Sequence, residues 1–163
     1  MNYKFLIEDM TFSYSRINSF KQCKYGFFLK YIKHCDSKNN FFAMYGTFMH
    51  TIIEKFLAKD LLKEELVSYY IENFTKVITA KPPSSKIYKN YFNSGLVYLS
   101  NMSFPYTNIL GIEEKVDFSV GDYDFVGYVD VIAKDNEEIH IIDHKSKTLK
   151  SRSKRKTPTK TDV

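Results

Sequence analysis

The hydrophobic period of the chain changes once, just after Pro105, and that change restricts the folds open to it. Before it, apolar residues recur at the helical spacing of about 3.6. Ser13 and Ser15 are N-cap residues for a short helix through Ile17 and Phe20, and a second segment is predicted over 24–32. Phe48, Met49, Ile52, Ile53, Phe56 and Leu57 form one stripe, which predicts an amphipathic helix over 43–58. Leu66, Tyr70, Phe74 and Val77 repeat the pattern; Pro82 and Pro83 break it, and Ile87, Tyr91 and Phe92 resume it toward Leu99. Beyond Pro105 the period is two. Ile112, Val116, Phe118 and Val120 share one parity, while Glu113, Lys115, Asp117 and Ser119 take the other. Gly121 and Asp122 make a turn into a second strand over 123–133, and Asp135 and Asn136 turn the chain again before Ile139, Ile141 and Ile142. The expected product is an α+β fold: five helical segments packed on a three-stranded antiparallel meander.

Length and composition narrow the class further. A chain of 163 residues that is 44% apolar has room for one core, and its 14 Phe and 13 Tyr are too many for a disordered chain. Cys23 and Cys35 are too few for a disulfide framework, which favours a reducing compartment, with the cytoplasm as the default. The first ten residues resemble neither a secretory leader nor a transit peptide, and no apolar run approaches the about 18 residues of a membrane span, so no membrane association is expected. The net charge of +5 is unevenly spread. Lys147, Lys150, Arg152, Lys154, Arg155, Lys156 and Lys160 face only Asp162 at the C-terminal end. Such a run can neutralise phosphates and release their counterions, or it can be a solvated tail. The expected division is a folded domain over 1–146 and a flexible basic tail over 147–163.

Chemistry is concentrated in the strands. Asp143 and Lys145 are two residues apart and share a strand face, and Asp130 interrupts the apolar run of the second strand. A carboxylate there needs a cation, a proton or a partner. Folding the meander can bring Glu113, Asp130, Asp143 and Lys145 together, a set of hard oxygen donors suited to Mg²⁺ or Mn²⁺, with an ammonium beside them. Phosphodiester hydrolysis is the chemistry such a site would perform. Taken singly, each acid is more often structural, Asp143 and Lys145 then being an ordinary surface ion pair. Parity selects Glu113 over Glu114, because Glu114 shares the apolar face of Ile112 and Val116.

The order Gly127-Tyr128-Val129-Asp130 followed by Ile141-Ile142-Asp143-His144-Lys145-Ser146 resembles the PD-(D/E)XK nuclease superfamily, and more closely its RecB-like exonucleases, which include nucleases of CRISPR adaptation. Ser13-Tyr14-Ser15-Arg16-Ile17 with Cys23-Lys24-Tyr25, Gly46-Thr47-Phe48-Met49-His50 and Gly111-Ile112-Glu113 are similar to three further segments of that family. The resemblance covers about residues 13–148 and implies a restriction-endonuclease-like core. By position it implies that His50, Glu113, Asp130 and Asp143 hold the metal, with the backbone carbonyl of His144 a further ligand, and that Glu113, Asp130, Asp143 and Lys145 form the catalytic set. Gly46, one helical turn before His50, leaves space above the imidazole. The implied activity is metal-dependent DNA hydrolysis, with single strands or duplex ends as substrate, in repair, recombination, phage or CRISPR settings. Lys147, Lys150, Arg152, Lys154, Arg155 and Lys156 are the nucleic-acid contacts expected in the tail.

The chain also departs from that family. RecB-like nucleases continue past the Asp-x-Lys strand into a helix carrying Gln-x-x-x-Tyr, and none is found before Val163. The expectation is therefore a truncated form or an N-terminal fragment whose meander, incomplete at the C-terminal side, leaves an edge for self-association or a partner protein to cover. Some relatives hold an iron–sulfur cluster on one early and three late cysteines. Cys23 matches the first, no cysteine follows Cys35, and no cluster is expected. A nucleic-acid-binding or assembly module that has lost catalysis is the alternative. None of the aromatic residues, Tyr88, Tyr91 and Tyr106 included, is assigned to the site.

Overall fold

A computed structural model describes residues 10–36 and 40–145. Among them, the helices are α1 (Tyr14–Gln22), α2 (Lys24–Phe27, continuing as a π-helical turn Phe28–Ile32), α3 (Phe41–Leu57), α4 (Leu66–Val77) and α5 (Ser85–Ser100). The strands are β1 (Asn108–Val120), β2 (Tyr123–Asp135) and β3 (Glu138–Ile142), in sheet order β1-β2-β3, antiparallel throughout. The α+β architecture expected from the period change is thus the one observed. No helix among the described residues is long and apolar enough to cross a membrane. The basic tail lies outside them.

The helix starts follow from side chains that satisfy the first free N–H groups. Ser13 accepts from the Arg16 N–H, Asn40 from Ala43 and Ser84 from Ile87. Cys23 closes α1 and opens α2, its Sγ accepting from the Gly26 N–H at 3.3 Å. Both strand reversals are two-residue turns, bracketed by the pairs Val120–Tyr123 and Asp135–Glu138. Each places positive φ at its first central residue, +60° at Gly121 and +52° at Asn136, residue types that tolerate it. β3 ends at Ile142, so Asp143 and Lys145 lie just past the strand instead of on it.

The core is mainly helical. Phe48, Met49, Ile52 and Ile53 of α3, Leu66, Tyr70 and Phe74 of α4 and Leu99 of α5 cluster with Val131 of β2. The outer halves of β1 and β2 contribute little to it: Val116, Phe118, Val120 and Tyr123 are exposed. Tyr70 is fully buried, and its hydroxyl donates to the Phe92 carbonyl at 3.1 Å across to α5. That contact exists because residue 95 has no side chain. A Cβ there would lie 2.3 Å from the Tyr70 hydroxyl oxygen and 2.6 Å from its ring carbon.

Two opposed effects therefore meet in Gly95→Ala. Helix propensity favours alanine by about 1 kcal/mol, whereas overpacking a rigid buried ring costs about 1–3 kcal/mol. The clash is with a ring anchored on all sides, so net destabilisation is expected, read as a lower denaturant midpoint. Tyr70→Phe in the same chain should recover only part of the loss, because the ring carbon stays in place.

Candidate functional site

Three side chains converge where α3 crosses the sheet. His50 Nδ1 lies 3.6 Å from Asp130 Oδ2 and 3.8 Å from Glu113 Oε1. One ligand atom from each of the three can be chosen so that all lie within 4.8 Å of one another. Each comes from a residue next to an anchored neighbour: His50 follows buried Met49, Asp130 precedes buried Val131, and Glu113 follows Ile112, which packs on the core. The Asp130 side chain is only 13% exposed, and its Oδ2 accepts from the His144 main-chain N–H at 2.6 Å. That hydrogen bond ties the exit of β3 to the centre of β2.

Glu113 reaches the cluster through an unusual backbone. The pairs Ile112–Val131 and Glu114–Val129 bracket it in unbroken register, yet its φ is +52°, in the left-handed region that strand residues avoid. Of the two adjacent glutamates it is Glu113 whose carboxylate approaches His50. Glu114 instead lies over Gly111, where a Cβ would come within 2.3 Å of its Cγ.

The other expected site residues are placed differently. Asp143 and Lys145 are exposed and pair with each other, Lys145 Nζ donating to Asp143 Oδ1 at 2.5 Å, and Asp143 is outside the His50–Glu113–Asp130 group. Lys145 does share a cavity of about 710 Å³ with His50 and His144. His144 presents its main-chain N–H to Asp130. Burial holds its imidazole below the usual histidine range, with Asp130 pulling the other way, and its Nε2 is buried with no hydrogen-bond partner among the described residues. Gly46 and His50 line a second, more polar cavity of about 380 Å³ with Glu113. Lys147, Lys150, Arg152, Lys154, Arg155 and Lys156 lie outside the described residues.

One basic feature escaped the charge arithmetic. Between Met10 and Cys35 there is no Asp or Glu, while Arg16, Lys21, Lys24, Lys30 and Lys33 are present. Exposed Tyr14, Phe20 and Tyr25 stand on the same helices, and Lys24 lies 5.7 Å from the Phe20 ring centre. Counting charge over short windows along the whole chain would have found it.

A family model for the PD-(D/E)XK nuclease superfamily matches residues 11–161, and the chain belongs to that superfamily. Its members are nucleases that use divalent metal ions. Comparisons with curated proteins and with solved structures gave no significant match. The donor set found here fits such an ion: one imidazole nitrogen and two carboxylates, with Asp130 oriented by a main-chain N–H.

The left-handed conformation at 113 has a measurable signature. In an ordinary strand, alanine is more stable than glycine by about 0.5–1 kcal/mol. At φ of +52° the order should invert, Glu113→Gly exceeding Glu113→Ala by about 1 kcal/mol. Both variants lose the same carboxylate, so paired denaturant titrations isolate the backbone contribution. Equal stabilities, or alanine ahead, would contradict the conformation.

Proposed function

We propose that the chain is a RecB-like deoxyribonuclease that hydrolyses DNA from its ends with Mg²⁺ or Mn²⁺ held by His50, Glu113 and Asp130. The observation that carries this reading is the approach of those three side chains, from α3, β1 and β2, to within one coordination sphere. A bound divalent ion would polarise a phosphoryl oxygen and lower the pKa of a coordinated water. The protein's own groups do the rest. Asp130 is held in one orientation by the His144 N–H, so its remaining lone pairs are fixed in direction. Lys145 sits on the cavity it shares with His50, where its ammonium can exchange Asp143 for the oxygens of a phosphodiester and stabilise the charge that grows on them. Asp143, freed by that exchange, is one backbone step from His144 and is assigned as the further acidic ligand, with the His144 carbonyl beside it. The basic, aromatic surface of α1 and α2 and the C-terminal lysines and arginines supply further phosphate contacts.

The pairing of Asp143 with Lys145 outside the three-residue group favours a second reading, a DNA-binding or assembly module that has lost catalysis. One experiment separates the two. On labelled linear DNA with Mn²⁺, the nuclease reading expects degradation that falls about 100-fold or more in Asp130→Asn and in Lys145→Ala. Cutting that survives either substitution unchanged would remove these residues from their roles. Binding without cutting, weakened by salt and by removal of residues 147–163 but indifferent to Asp143→Ala, would establish the module instead.

A further inference from the structure

We infer that the cavity beside the acidic cluster is a nucleoside subsite, which receives the unpaired base adjoining the phosphate under attack and so selects single strands and frayed ends over intact duplex. This rests on the nuclease reading and specifies its substrate. At about 710 Å³ the cavity has the size of sites that enclose small ligands, roughly 300–1,000 Å³. His50 and Lys145 belong to its wall, so a nucleotide whose phosphate meets those two residues has this space within reach of its base.

The wall has the chemistry of a base receptor. Met49 and Ile53 of α3 give it an apolar floor, and Tyr91 and Tyr98 of α5 bring aromatic rings to it. Tyr98 is 43% exposed and stands outside the apolar core cluster. Asn90 and Asn93 add two carboxamides, each with a donor and an acceptor, the combination that matches the hydrogen-bonding edge of a base. Asn73 and Asn101 bond back to carbonyls of their own helices at 2.8 Å, whereas Asn90 and Asn93 make no side-chain hydrogen bond among the described residues. Both amides are therefore free to exchange water for the hydrogen-bonding edge of a base. A paired base in a duplex has its edge engaged and its faces stacked, and it cannot enter without being extruded.

Binding of oligonucleotides to the full-length chain, measured by fluorescence anisotropy with Ca²⁺ as the divalent ion, tests this apart from cleavage. The probes are single strands ending in a normal nucleotide or in an abasic one, at either terminus, and a blunt duplex of the same sequence. The double substitution Asn90→Ala/Asn93→Ala, at two exposed positions, should leave the melting temperature unchanged and weaken binding of the normal single strand about tenfold. It should leave the abasic strand and the blunt duplex unaffected. Terminal 2-aminopurine should be quenched on binding, and less so in Tyr91→Leu/Tyr98→Leu; the chain has no Trp to interfere. Equal loss on normal and abasic strands, or no loss on either, overturns the subsite. So does tighter binding of free 2-aminopurine deoxyriboside after removal of residues 147–163, which would mean that the chain itself fills the cavity. Base-dependent binding without any cutting of DNA would overturn the nuclease reading and leave the subsite standing; cutting with base-independent binding would do the reverse.

Discussion

The seating of α3 on the sheet is the contact from which the rest of the structure follows. Ile52 and Val131 are both essentially sealed from solvent within one apolar cluster, and burying side chains of that size contributes about 1.5–3 kcal/mol each. His50 and Asp130 are close neighbours in sequence of those two residues, so the hydrophobic register also sets the distance between imidazole and carboxylate. A helix rotated by one residue would carry His50 about 100° away from the sheet and scatter the donors. The polar site is thus positioned by apolar packing, and the attraction among its own groups plays a smaller part.

That dependence has a reason in electrostatics. Two carboxylates drawn toward one point repel each other, and Asp130 is largely withdrawn from water. The fold counters this with a main-chain N–H from His144 and with the nearby His50 ring, while Glu113 adopts a backbone conformation that an ordinary strand residue avoids. Local unfavourable geometry of this kind persists only where the surrounding core is rigid. The dense aromatic packing of α3, α4 and α5, with Phe74 in ring contact with Tyr45, Phe48, Tyr70, Tyr88 and Phe92, supplies that rigidity.

Much of this was legible in the residues alone, because periodicity is a local signal. The five helical segments and three strands follow from spacing and turn chemistry, and Pro82, Pro83, Gly121 and Asn136 punctuate them as their φ preferences require. Parity selects Glu113 over Glu114, and it is Glu113 whose carboxylate stands by His50, on a left-handed backbone that parity does not reveal, while Glu114 lies over Gly111. Strand periodicity carries no signal for a single residue's φ. Nor could spacing show that Asp143 would pair with Lys145 apart from the three-residue group, because two opposite charges two residues apart past a strand end are as compatible with solvent pairing as with a shared ligand. Asn90 and Asn93 were silent for a different reason: an exposed amide on a helix carries no pattern until the space it faces is known.

Helix α5 shows how one element serves both needs. One face, with Phe92, Gly95 and Leu99, is fitted to Tyr70 and the core; the other carries Asn90 and Tyr98 to the cavity, and Tyr91, packed on the core, lies between them and also lines it. Because 3.6 residues make a turn, the two faces interleave in sequence as i and i+1 neighbours, so a shift that repacks Gly95 against Tyr70 must also rotate the cavity wall. The absent side chain at 95 therefore fixes more than a core contact. It lets α5 approach α4 closely enough for the Tyr70 hydroxyl to reach the Phe92 carbonyl.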